Sequence, residues 1–77
     1  MEPFEISVSI EGLPEELKVI PVEDPEEEPK YQVYNAGDYL GTVWSECMEK
    51  GMCWFSSDEL AEDTTLKIGE AIERVNP

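Results

Sequence analysis

The chain reads as an α+β domain: a small, mostly antiparallel five-stranded sheet followed by one C-terminal helix packed on one face. Three observations predict this. Residues 4–11 alternate apolar and polar, the period of a strand with one wet face. The middle of the chain is a run of short β-branched and aromatic segments separated by Gly, Pro and Asn. Only Thr64 to Val75 carries apolar residues at helical spacing.

The first strand puts Phe4, Ile6, Val8 and Ile10 on one side and Glu5, Ser7, Ser9 and Glu11 on the other. Gly12-Leu13-Pro14-Glu15-Glu16 reads as the turn that breaks it. Leu17 to Val22 is the second strand, with Pro21 at a sheet edge or a strand end because it has no N–H to give a ladder. Residues 23–29, Glu-Asp-Pro-Glu-Glu-Glu-Pro, form an acidic Pro/Glu segment, read as a solvated loop.

Lys30 to Asn35 and Tyr39 to Ser45 form a hairpin around Asn35-Ala36-Gly37, with Gly37 at positive φ in a three-residue loop. That register sets Tyr34 opposite Asp38, Val33 opposite Tyr39, and Tyr31 opposite Gly41. It places Tyr31, Val33, Tyr39 and Val43 on one face, and Tyr34, Leu40 and Trp44 on the other. Both faces are apolar, so the hairpin belongs in the middle of the sheet. Glu46 to Gly51 is the next turn, with Gly51 at positive φ. Met52 to Phe55 pairs back on the Trp44 strand, which brings Cys47 and Cys53 to the mouth of that hairpin. Asp63 is the expected N-cap of the helix. Thr65, Ile68, Gly69, Ile72 and Val75 form its apolar stripe, with Leu66 beside it, and Glu70 and Arg74 stand at i, i+4 on its wet side. Gly69 inside the helix costs about 1 kcal/mol relative to Ala. Close approach to the Trp/Phe layer explains that cost.

At 77 residues the chain is one domain, 1–77. It has 19 Asp+Glu against 5 Lys+Arg, a net charge of −14, and no His. Such a charge opposes direct binding to nucleic acid phosphates or an anionic membrane. The absence of His removes the commonest general base and metal ligand. Two cysteines cannot supply the four ligands of a structural zinc site, and their spacing misses C-x-x-C, so two reduced thiols are expected. The acids at 23–28 and at Asp58, Glu59, Glu62 and Asp63 do not follow a calcium-loop pattern. No nucleophile elbow, dinucleotide or phosphate loop is present. The expectation is therefore no enzyme, no cofactor and no metal. The N-terminus has no basic region and no signal-length apolar run, so it reads as unprocessed and cytoplasmic.

Aromatic residues, at 9%, are the remaining functional feature. One helix covers only one face of a sheet, so one aromatic set is left bare. A bare apolar patch is an interaction signal, and Tyr and Trp dominate binding hot spots. The helix is expected on the Trp44 side, leaving Tyr31, Tyr39 and Val43 as candidate contacts. The expected function is a non-enzymatic protein-interaction module that binds a protein partner or self-associates. The alternative is an acidic inhibitor or nucleic-acid mimic that fills the basic groove of a partner protein.

Overall fold

The computed structural model describes residues 2–22, 29–57 and 60–75. The acidic segment singled out above lies, through residue 28, outside the described residues, as do Asp58 and Glu59. Five strands run in the order of the sequence: β1 (Phe4–Ile10), β2 (Leu13–Val22), β3 (Lys30–Asn35), β4 (Asp38–Met48) and β5 (Gly51–Ser56). Every neighbouring pair is antiparallel, so the sheet is a simple meander. One helix, α1 (Glu62–Val75), follows and packs on β1, β4 and β5. It therefore touches both edge strands of a curled sheet and lies across its concave side.

The first turn is tighter than the sequence suggests. Ile10 pairs directly with Leu13, leaving only Glu11 and Gly12 in the loop. Both have positive φ, 52° and 81°, as a two-residue turn matching strand twist requires. β2 therefore begins at Leu13 and takes in Pro14. Its two prolines sit where one flank is open. Pairing to β3 begins only at Lys18, beyond Pro14, and pairing to β1 ends at Val19, before Pro21. Neither missing N–H breaks a ladder.

The second hairpin departs from the expected register, and the departure reorders its faces. Asn35 pairs with Asp38 around Ala36 (φ 50°) and Gly37 (φ 89°), again a two-residue turn. Tyr34 then faces Tyr39, but Val33 faces Gly41. Leu40 is the extra residue of a β-bulge. On the core side of the bulge, Tyr31 pairs with Val43 and Gln32 with Thr42. The bulge turns Tyr39 onto the face of Tyr34 and sends Leu40 to the opposite face, against the core.

The core lies between the concave face and α1. It contains Ile6, Val8, Leu17, Val19, Val33, Val43, Ile68, Ala71 and Ile72. Phe4, Ile10, Tyr31, Leu40, Trp54 and Leu60 close its edges. The helix thus covers the Val33/Val43 side, not the Trp44 side. The reason is area summed over the whole sheet. In β1 and β2 the concave face carries Ile6, Val8, Leu17 and Val19, whereas the Trp44 face carries Glu5, Ser7, Glu16 and Lys18. At roughly 25 cal/mol per Å² of apolar burial, the aliphatic side outweighs one tryptophan.

Helix α1 begins at Glu62, two residues earlier than Asp63 as its N-cap implied, so Ala61 takes the capping position. The Ala61 carbonyl accepts the Thr65 N–H at 2.9 Å. Thr65 is buried, and its Oγ1 bridges the Ser56 hydroxyl at 2.7 Å and the Ala61 carbonyl at 3.0 Å, tying the first turn to the end of β5. Gly69 lies under the ring of Trp54, where a Cβ would come within 2.3 Å of the indole. The indole N–H donates to Glu73 Oε1 at 2.9 Å, and the ring tilts against Tyr31 at 6.1 Å. At the far edge Lys67 Nζ donates to the Ser9 carbonyl at 3.1 Å, which fastens the helix to β1. Val75 and Leu66, assigned to the apolar stripe or beside it, are each 51% exposed.

Candidate functional site

Strand alternation places Lys18, Ile20, Lys30, Gln32, Tyr34, Thr42, Trp44, Glu46, Cys53 and Phe55 on the convex face, and the bulge adds Tyr39. No described element packs on this face. Two aromatic pairs stand on it, one on each side of the Gln32–Thr42 row. Trp44 and Phe55 are direct cross-strand partners, stacked with centroids 6.4 Å apart and planes 21° apart. Tyr34 and Tyr39 are partners in the neighbouring hairpin, 5.5 Å apart and tilted by 60°. Cross-strand aromatic pairs of this kind stabilise a sheet face and hold the rings in fixed orientations.

Polar groups between the rings are already paired. The Tyr39 hydroxyl lies 2.6 Å from Thr42 Oγ1, and the Tyr34 hydroxyl donates to Gln32 Oε1 at 3.4 Å. Lys30 Nζ stands 5.4 Å from the centre of the Trp44 ring, within cation–π range. Burying this face would strand few polar atoms, and stranding them is the main penalty of a poor interface.

The structure separates the three candidate contacts. Tyr39 is 48% exposed on the open face. Tyr31 is half-buried on the other face, against Trp54 and the core. Val43 is fully buried beneath α1. Val43 and Tyr31 therefore belong to the concave layer, and the expectation that they share a bare face with Tyr39 is corrected. Two facts were missing: the bulge at Leu40, and the aliphatic continuation of the Val43 face into β1 and β2. Tyr34, Trp44 and Phe55, assigned on sequence grounds to the covered side or to no side, join Tyr39 instead. The cross-strand match of Trp44 with Phe55 was within reach of the sequence, since both flank the turn expected at Glu46–Gly51, which the structure narrows to Glu49 and Lys50 because Met48 pairs with Gly51.

At the β4–β5 tip the ladder sets Cys47 opposite Met52 and Cys53 opposite Glu46, so the cysteines are not cross-strand partners. Cys53 is a free, half-buried thiol. Among the described residues no cluster of three His, Cys, Asp or Glu side chains is placed to hold a metal ion. Among the same residues no helix is long and apolar enough to cross a membrane.

Fold and face together define a class: a helix-backed antiparallel meander whose convex side is an aromatic sheet surface. Comparison with protein-family models, with curated proteins and with solved structures finds no match for this chain.

Proposed function

We propose that the protein is a non-enzymatic interaction module that docks protein through the convex sheet face. One observation carries this reading. Two ordered aromatic pairs, Trp44–Phe55 and Tyr34–Tyr39, stand on either side of the Gln32–Thr42 row, on a surface with no described cover. Rigid aromatic rings with satisfied polar neighbours are the composition of binding hot spots. The acidic-mimic reading rests on net charge alone. The described acids fall on both faces, in turns and along α1, not in parallel rows like phosphates, so the aromatic face is the better-supported site.

The test is site-specific photo-crosslinking in the cell that makes the protein. A photoreactive side chain at Phe55 is expected to capture protein, and one at Leu66, exposed on the helix, is not. Equal capture from both positions, or none from Phe55, would refute the docking face.

A further inference from the structure

We propose that the β4–β5 hairpin tip binds a soft monovalent cation, Cu(I), between the Cys53 thiolate and the Met48 thioether. Metal binding there does not depend on the docking reading above. Both cysteines of the chain and two of its three methionines fall within residues 47–53, Cys-Met-Glu-Lys-Gly-Met-Cys, whose sulfur pattern reads the same from either end. Folding gives that pattern a geometry. Met48 pairs with Gly51, which leaves Glu49 and Lys50 as a two-residue turn with Gly51 at φ 111°. One row further in, Cys47 pairs with Met52; the next row pairs Glu46 with Cys53. Cross-strand partners share a face and successive residues alternate. Positions 48 and 53 therefore share the convex face, and positions 47 and 52 share the other. Each face receives one methionine position and one cysteine position, and the two cysteine positions stand on opposite faces. This register opposes a Cys47–Cys53 disulfide and sets each cysteine position beside a methionine position.

The convex pair is the better defined. Cys53 is a free, half-buried thiol whose Sγ lies 4.0 Å from the Gly51 carbonyl oxygen, so it leans toward the residue that Met48 faces. Met48 and Cys53 are diagonal neighbours on the ladder, about 7–8 Å apart, within reach of a long side chain. Methionine is such a chain, unbranched and with three rotatable bonds. Met48 and Met52 are 52% and 56% exposed, so neither thioether is used up in packing. Thiolate and thioether are soft donors, and soft donors select Cu(I). Cu(I) is satisfied by two such ligands, so the four-ligand count that excludes a structural zinc site does not exclude it. The exposed acids Glu46 and Glu49 outnumber the exposed Lys50 at the tip, which favours a cation. On binding, the Cys53 S–H proton leaves to water, and the thiolate and the Met48 Sδ each give an electron pair to the metal, which stays Cu(I).

The test is a titration of the purified full chain with Cu(I), kept reduced by ascorbate in the absence of oxygen, against the coloured Cu(I) chelator bicinchoninate. The chain is expected to withdraw Cu(I) from the chelator, and Zn(II) is expected not to displace it. Variants are then compared in a Cys47→Ser background, where Cys53 is the only thiol. Met48→Leu, which keeps the bulk and removes the sulfur, should raise the dissociation constant roughly tenfold or more. Met52→Leu, the same change on the other face, should leave it unchanged. Cys53→Ser should abolish binding. Circular dichroism checks that each variant is folded, and Cys47→Ala replaces Cys47→Ser if the latter is not. A thiol acting alone would be indifferent to Met48→Leu, and that result would overturn the proposal. Equal losses from Met48→Leu and Met52→Leu, or no withdrawal of Cu(I) by the unsubstituted chain, would overturn it as well.

Discussion

Replacing Gly69 with Ala sets two effects of opposite sign against each other, and the geometry decides between them. In an exposed helix interior the change stabilises by about 1 kcal/mol, because Gly loses more backbone entropy on folding. Here the added methyl would lie 2.3 Å from Cγ and Cδ2 of Trp54 and 2.5 Å from Cδ1. Carbon atoms in contact sit about 3.5–4.0 Å apart, so ring and helix must separate by more than about 1 Å. The indole cannot slide freely. Its N–H is held by Glu73 and its other side by Tyr31. Overpacking of this kind costs about 1–3 kcal/mol, and straining the indole hydrogen bond adds about 1 kcal/mol or less at this exposed site. Taking the middle of each range, net destabilisation of about 1–2 kcal/mol remains after the propensity gain is subtracted. For a domain of this size that lowers Tm by roughly 4–16 °C. Thermal denaturation followed by far-UV circular dichroism measures it. A Tm equal to or above that of the parent would show that α1 does not press its backbone on Trp54.

Two other changes probe the turns and the core. Ala36→Asn creates an Asn-Gly pair at two positive-φ positions now occupied by Ala and Gly; it should stabilise by about 0.5–1 kcal/mol in urea denaturation, and a loss of stability would contradict the two-residue turn. Leu17→Ala empties a fully buried site on β2, beside Ile6 of β1, and should cost about 2–5 kcal/mol, a large share of the stability of so small a domain; a loss below about 1 kcal/mol would mean that the concave layer is loosely packed.

The architecture was legible where local pattern alone determines it. Alternation in residues 4–10, positive φ at Gly51 and the helical stripe through Thr65, Ile68, Gly69 and Ile72 each depend on neighbours in sequence, and each appears in the structure; the turn read at Glu46–Gly51 narrows to Glu49 and Lys50, because β4 runs on to Met48, and Val75 falls off the stripe. The close seat of Gly69 was legible too, because a glycine that weakens a helix needs a packing reason. The candidate site was less legible. One extra residue, Leu40, moves Tyr39 across the sheet, and a bulge has no signature in the period-2 pattern that surrounds it. The choice of covered face depended on Ile6, Val8, Leu17 and Val19, which join the hairpin only through the β2–β3 ladder. Weighing Trp44 against Tyr31 within one hairpin omitted that long-range sum. Two-residue turns at Glu11-Gly12 and Ala36-Gly37 were hidden for a related reason: their first positions hold residues that seldom take positive φ.

The two tryptophans stand on opposite sides of one sheet. Trp54 lies under α1 with its indole N–H bound, and Trp44 lies on the convex surface between Phe55 and Lys30. Each side of the molecule thus carries its own intrinsic fluorophore. A variant keeping only Trp54 emits according to whether the helix is seated. One keeping only Trp44 reports by its colour and its accessibility to a collisional quencher whether the outer surface is wet or occupied. Folding and association, which in most small domains share a single optical signal, are separable here without any attached dye.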